Sequence, residues 1–435
     1  MNIDQVDESE ARRILRSLRS GATPTQYASQ IFVGQGPWFD TARKMMHDTA
    51  IDEDFEVRFL RAAYGGGKTL FLRCLEEAAR ADGWVTAYVL LKQGSVELDK
   101  FDTWVREVAR TVEFPDASRG MNTLLERAMA THLKSHGYDP SRATSLNVLE
   151  RAGEGLAKFC RGRALEYDFS LALRATLEAR FERDEIRLHE IAKWLSGGSE
   201  RLAVDPARFG SNPHRPATRA GAVQLKQLGP GTADQLLRLL ALLTKMSGQK
   251  GLMLSFDEVE LIGTLPEKRL KIALQTLREL VDHTDPALEP PSTCLFVAAT
   301  PEMFESPRML PSYKALQDRV DKLPTSRRGP PNLRGTVIDL DATELGEGDL
   351  AALAERIMAL YRKSGEDVPP NLDGQLKELV KTITVRRYSI ARPRLLCRCL
   401  LDILDGKFGA DMPQEIAARN EQMTKERQTE MRVKA

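Results

Sequence analysis

Two short stretches carry residues whose types and spacing suit chemistry on a polyphosphate. The first is Gly65-Gly66-Gly67-Lys68-Thr69, followed by the apolar run Leu70-Phe71-Leu72. Consecutive glycines leave backbone N–H groups bare and allow dihedrals that side chains forbid, so the chain can wrap closely around an anion. A helix opening at Lys68 would aim its positive end at that anion. Lys68 would then reach the β- and γ-phosphates, and the Thr69 hydroxyl would ligate Mg²⁺. The second stretch is Asp257-Glu258, directly after the apolar run Leu252-Met-Leu-Ser-Phe256. At the carboxyl end of a buried strand, Asp257 would lie beside the phosphate loop and hold Mg²⁺ through water. Glu258, one residue on, would orient and polarise an attacking water.

The elements around these stretches are those such a site needs. Phe55, Val57 and Phe59 alternate with charged residues and are followed by Leu60, which predicts a strand running into the loop. The full motif, G-x-x-x-x-G-K-[ST], spans 62–69 and finds Ala62 where its first glycine belongs, a small departure. Ala63, Tyr64 and Leu70 flank the glycines and complete the expected nucleotide-binding stretch. A Gly-rich surface turn would explain the first stretch alone, and an acidic turn after a core strand the second. Their occurrence in order in one chain favours the phosphate-site reading. Upstream, Val33-Gly34 precedes a helix from about Trp38 to His47, a place where many ATPases pack the adenine ring against backbone; an ordinary hydrophobic linker is the alternative.

Downstream of the loop, 68–81 reads as a helix and Trp84–Leu91 as a second buried strand, together a strand–helix–strand unit. Residues 98–247 show helical periodicity almost throughout, with segments near 99–112, 121–136, 145–160, 168–194 and 233–247. They are read as an inserted subdomain interrupted by a mobile, Pro- and Gly-rich loop at 205–231. The α/β pattern resumes over 248–342. There Cys294–Ala299 predicts a strand ending in Thr300, whose hydroxyl could reach the γ-phosphate or the water. If subunits pack side by side, a basic residue of 302–334 could stabilise transition-state charge on a neighbour; Arg319 is the first choice, then Arg327 and Arg328. A small helical domain, 343–410, follows. In its Ala391-Arg392-Pro393-Arg394, Pro393 suits a helix's first turn, so Arg394 could point back at the nucleotide. Lys381 to Arg398 holds basic residues, no acidic ones, and Tyr388, a stretch that could meet DNA. Residues 1–30 read as a short amphipathic helix and linker, and 411–435 as a charged, solvated helical tail.

The bulk numbers exclude much. A chain of 435 residues, 42% hydrophobic and 29% charged, is a soluble multidomain protein, and a net charge of +1 confines any nucleic-acid binding to a local patch. The five cysteines are scattered without zinc spacing, as expected of reduced thiols in a cytoplasmic protein. No signal peptide or bilayer-length apolar run is found.

Taken in order, the loop at 62–69, Asp257-Glu258, Thr300 and Arg394 resemble the AAA+ ATPase superfamily, in particular its origin-recognition-like and STAND-like branches. The resemblance covers about 31–100 and 250–405. It implies an α/β P-loop NTPase core with a parallel sheet, a long helical insertion and a C-terminal helical lid. It also implies ATP and Mg²⁺, with Thr300 in the sensor-one place and Arg394 in the sensor-two place. Ring or partial-ring homo-oligomers, and hydrolysis coupled to moving a partner or DNA, belong to the same expectation. More narrowly, the Tyr-Gly-x-Gly-Lys-Thr loop, the Ser-Phe-Asp-Glu strand and the helical middle resemble the ATP-binding proteins of BREX-type phage-defence clusters, the BrxD-like group. That implies a DNA-associated assembly with helicase or methylase partners. Gln35 departs from the Arg that relatives often carry after Val-Gly, and no winged-helix domain follows the lid. An ATP-dependent switch or scaffold with negligible hydrolysis is the other reading; Glu258 is the residue that discriminates.

Overall fold

The alternation at Phe55–Arg61 builds the central strand, β1, whose side chains commit to both faces of one sheet. The structure, a computed structural model, describes residues 6–139, 146–163, 165–198, 201–204, 223–229, 232–282, 290–320, 336–342, 345–369 and 372–434. With β2 (Val85–Leu90), β3 (Leu252–Asp257), β4 (Thr293–Ala299) and β5 (Val337–Asp339), β1 forms a parallel sheet in the order β2-β3-β4-β1-β5. Register places Arg61 beside Ala299 and Leu90 beside Asp257. The carboxyl ends of β1, β3 and β4 therefore share one edge, where open α/β sheets bind ligands. β1 and β2 are joined by α3 (Lys68–Ala81) but are not neighbours, because β3 and β4 lie between them.

Each sheet face is covered by helices in chain order. α2 (Gly36–Asp52) and α3 bury Trp38, Met46, Phe71 and Leu75 against Leu60, Ala62 and Phe296. On the other face, Val57, Phe59, Val89 and Phe256 share a cluster with α4 (Phe101–Thr111), α5 (Gly120–Ser135), α6 (Leu146–Gly162), α7 (Tyr167–Glu182), α8 (Glu185–Leu195), α9 (Ala233–Met246) and α10 (Glu267–Asp282). Full burial of a Phe or Leu contributes roughly 1.5–3 kcal/mol over exposure, so a one-residue slip of β1 would misplace several such contributions.

Two differences from the sequence reading have local causes. The helix expected over 168–194 is two helices, α7 and α8, because Arg183 takes a left-handed φ of +60° and caps the first. Ala203–Val204 pairs antiparallel with Val223–Gln224, a two-residue ladder too short for periodicity to reveal. The loop expected at 205–231 falls largely outside the described residues, as do Arg327 and Arg328.

The C-terminal helices form a third cluster: α13 (Glu347–Lys363), α14 (Leu372–Val385), α15 (Arg392–Leu404) and α16 (Met412–Lys434), α11 (Pro301–Glu305) and α12 (Lys314–Val320) having closed the sheet region. α1 (Glu8–Arg19) is not a detached leader. It buries Ile14 and Leu15 among Leu350, Ile357 and Leu396, and Arg19 pairs with Glu366 and Asp405, each at 2.8 Å. The tail read as solvated is also anchored, with Met412 and Ile416 buried in this cluster.

Candidate functional site

The loop after β1 is shaped by its glycines. Gly65 and Gly67 take φ of +78° and +97°, the left-handed region that L side chains avoid. A Cβ at Gly66 would lie 2.9 Å from the Ala63 carbonyl oxygen, and one at Gly65 2.9 Å from Arg394 Cδ. Neither site tolerates a side chain without movement. Ala62, by contrast, has no positive φ, and its methyl group is fully buried between the sheet and α3, so the departure from glycine carries no strain. Lys68 is buried and its Nζ donates to the Ala62 carbonyl at 3.0 Å. The Ala63 N–H donates to Asp341 Oδ2 at 2.8 Å, tying the loop to the end of β5.

Thr69 and Asp257 meet although 188 positions separate them: Thr69 Oγ1 donates to Asp257 Oδ2 at 2.7 Å. The same Oδ2 accepts from the Tyr88 hydroxyl at 2.6 Å, and Oδ1 accepts the Glu258 N–H at 2.9 Å. Asp257 is 1% exposed, so these three donors replace its water. Burial, then the Asp257 charge, push the Tyr88 phenol well above its ordinary range, which keeps it a donor. The Arg73 guanidinium lies 3.3 Å from the Tyr88 ring centroid and fixes the ring's other side. Glu258 takes a left-handed φ of +56°, a cost that the bond to Asp257 helps offset. Glu260, two residues on, keeps Oε2 buried with no hydrogen-bond partner among the described residues; burial raises its carboxyl, and the Lys68 charge opposes that rise.

The other expected residues lie at the end of β4, against the C-terminal cluster and on α12. Thr300 is 9% exposed, ends β4 and starts α11 without a side-chain capping bond; the Ala62 N–H donates to Ala299 next to it at 3.4 Å. Gly34 has a φ of +74°, and a side chain there would run into Leu345 and Asp349 at the start of α13, while Val33 and Leu70 pack on the C-terminal cluster. Arg394 starts α15 and comes back over the loop, its guanidinium 4.5 Å from the Tyr64 ring. Arg319 stands apart: it is bound to Asp282 of α10 and donates to the Ala315 carbonyl at 2.6 Å. The basic stretch 381–398 does not form one surface. Lys381, Arg386 and Arg387 are exposed, Arg394 faces the loop, Arg398 pairs with Asp402 at 3.3 Å, and Tyr388 packs on the cluster instead of standing out to stack.

Sequence reasoning missed Tyr88, Asp341 and Arg427, which reaches Tyr64 from α16 at 4.8 Å. Tyr88 had a signal, a phenol within an otherwise apolar strand, but its partner depends on β2 lying beside β3. Among the described residues, no helix is long and apolar enough to cross a membrane. All five cysteines are thiols, and burial pushes Cys294 and Cys399 up to about 12.

No curated protein and no solved structure matches the chain. A family model does, that of the BREX system ATP-binding protein BrxC/D, over residues 6–408. A parallel α/β sheet with a glycine-rich loop at its carboxyl edge is consistent with that match, and the chain belongs to the BREX system ATP-binding BrxC/D family.

Proposed function

We propose that this BREX ATP-binding protein is a magnesium-dependent, AAA+-like ATPase. The observation that carries the reading is the 2.7 Å bond between Thr69 and Asp257 beside the glycine cradle. A hydroxyl and a carboxylate, both hard oxygen donors, suit magnesium, which takes one or two protein ligands and completes its shell with phosphates and water. The cradle, which a Cβ at Gly65 or Gly66 would fill, and the buried Arg394 Nε without an acceptor among the described residues suit a polyphosphate. Bound Mg²⁺-ATP supplies the γ-phosphoryl group and a cation that neutralises its charge.

The chain's own residues then have separate tasks. The N–H groups of Gly65–Thr69 and the ammonium of Lys68 bind and orient the phosphates. Lys68 exchanges the Ala62 carbonyl for phosphate oxygen. Glu258 holds a water for in-line attack, and Thr300 positions that water or the γ-phosphate. Val33, Gly34 and Leu70 bound the adenine side. Arg394 reports nucleotide state to α13–α15, which serve as a lid, and α4–α9 form an insertion for partner recognition. Side-by-side packing of subunits would let Arg319 exchange Asp282 for a neighbour's γ-phosphate. The assembly this drives is DNA-associated, with helicase or methylase partners and with DNA contacts from the exposed Lys381, Arg386 and Arg387.

The test is steady-state ATP hydrolysis by the purified chain, with and without duplex DNA, beside Lys68→Ala and Glu258→Gln. Turnover abolished in both variants and raised by DNA supports the reading. Tight ATP binding with no turnover above the variants would replace it with a nucleotide-dependent switch.

A further inference from the structure

The last helix, α16, lies wholly beyond the segment that the family model matches, which ends at 408. α16 is fixed in place over its first turns. Ile416 is fully buried, Arg419 Nε pairs with Asp402 at 3.0 Å, and Asn420 Oδ1 accepts from the Ser389 hydroxyl and the Ile390 N–H, each at 3.1 Å. This anchorage carries the following turns back to the phosphate loop. There Arg427 lies 4.8 Å from the Tyr64 ring centroid and Arg394 lies 4.5 Å from the same ring.

One neutral ring does not compensate two guanidinium charges, which also repel each other. Among the described residues neither arginine is paired with a carboxylate, and the Nε of Arg394 is buried without an acceptor. Several partly buried arginines elsewhere are paired with carboxylates: Arg19 with Glu366 and Asp405, Arg61 with Asp339, Arg269 with Glu97 and Asp99. Arg394 and Arg427 instead meet at Tyr64, on the loop that also holds Lys68. Two uncompensated cations converging on an anion cradle specify an anion as their partner.

We infer that Arg427 is a nucleotide-binding residue: with Arg394 it forms a two-arginine clamp, spaced by Tyr64, for the polyphosphate of a nucleoside triphosphate. The inference rests on the phosphate-loop reading given above. It makes α16 part of the nucleotide site, so that binding orders the C-terminal helix as well as α15. Tyr64 serves as the platform that holds both guanidinium groups toward the loop.

The experiment is equilibrium binding of a fluorescent ATP analogue and the matching ADP analogue to the full chain. Arg427→Gln should weaken ATP binding about tenfold and ADP binding by less, as loss of a charge-assisted phosphate contact does. Arg427→Lys should recover part of the loss, and Tyr64→Leu should weaken ATP in the same direction. Lys425→Ala, which removes an exposed pair with Glu421 on the same helix, should change nothing. Thermal melts of each variant separate binding from packing. Equal losses in Arg427→Gln and Arg427→Lys, accompanied by a lowered melting temperature, would overturn the clamp in favour of a packing role. Wild-type affinity in Arg427→Gln, with binding abolished by Lys68→Ala, would overturn the clamp and leave the phosphate loop standing. Binding that survives Lys68→Ala would instead remove the reading on which the clamp rests.

Discussion

Asp257 and Arg394 both border one loop, at Thr69 and at Tyr64–Gly65 respectively, and their surroundings differ in kind. Both Asp257 oxygens are hydrogen-bonded, by Thr69 at the start of α3, Tyr88 within β2 and the Glu258 N–H. Arg394 has a tyrosine ring, a glycine backbone and a second arginine around it, and its Nε lacks an acceptor among the described residues. The acidic side is fully hydrogen-bonded within the chain; on the proposed reading the basic side, built on separately packed helices, would be completed by an anion. That contrast suits a site whose metal end is preorganised and whose phosphate end reports occupancy.

The comparison breaks most severely at the residue between the two sides. Lys68→Ala removes the ammonium nearest the cradle and should weaken ATP binding by about a hundredfold or more, measured by calorimetry. Glu258→Gln should leave that affinity within about threefold while cutting turnover by roughly 10²–10⁴, the usual contribution of a general base. Turnover that survives Glu258→Gln would shift attention to Glu260, the other carboxylate beside Lys68.

Tyr88→Phe sharpens the contrast by touching only the acidic side. It removes one of two hydroxyl donors on Oδ2 and leaves the ring under Arg73. Outer-shell partners of metal ligands are typically worth 10–100-fold. The magnesium needed for half-maximal turnover should rise about tenfold, with ATP affinity in its absence unchanged. An unchanged magnesium dependence would show that Thr69 and the Glu258 N–H suffice to hold Asp257.

The two sides were also unequally legible in the sequence. The loop is continuous, so Gly65–Thr69 announce their own geometry, and a run such as Leu252–Phe256 ending in Asp257 places its carboxylate by the rule that ligands sit at strand carboxyl ends. Tyr88 was illegible because it depends on register: β2 follows β1 in the chain yet lies beside β3. Arg427 was illegible for a stronger reason. Nothing within 411–435 records that Ile416 and Arg419 dock on α15 and so aim the next turns at a residue 363 positions earlier. α1 was read correctly as an amphipathic helix, but amphipathicity does not say what covers the apolar face, and here α13 and α15 do. The departure at Ala62 carries no backbone strain, since that position needs no glycine conformation.

The smallest effect belongs to the scaffold of the basic side. Arg19 ties α1 to Glu366 and Asp405, and Gly21, just beyond, approaches Arg394, whose Nη2 would lie 3.4 Å from a Cβ there. Arg19→Ala should cost about 1 kcal/mol, lowering the melting temperature by roughly 2 °C, because the pairs are only partly buried. The pH dependence gives a sharper signature. The Arg19 hydrogen bond holds the Glu366 carboxyl below its ordinary 4.5, and at Asp405 the Arg19 and Lys407 bonds outweigh the opposing effect of burial and hold it below 3.8. Both groups thus bind fewer protons folded than unfolded. Their contribution is complete above about pH 4.5 and is lost as pH falls through their lowered folded values. Melting curves from pH 7 down to pH 3 should therefore converge for wild type and Arg19→Ala at the acid end, with ATP affinity at pH 7 reduced only slightly and magnesium dependence untouched. A change in magnesium dependence would mean that α1 acts on the acidic side as well, and the division between the two sides would fall.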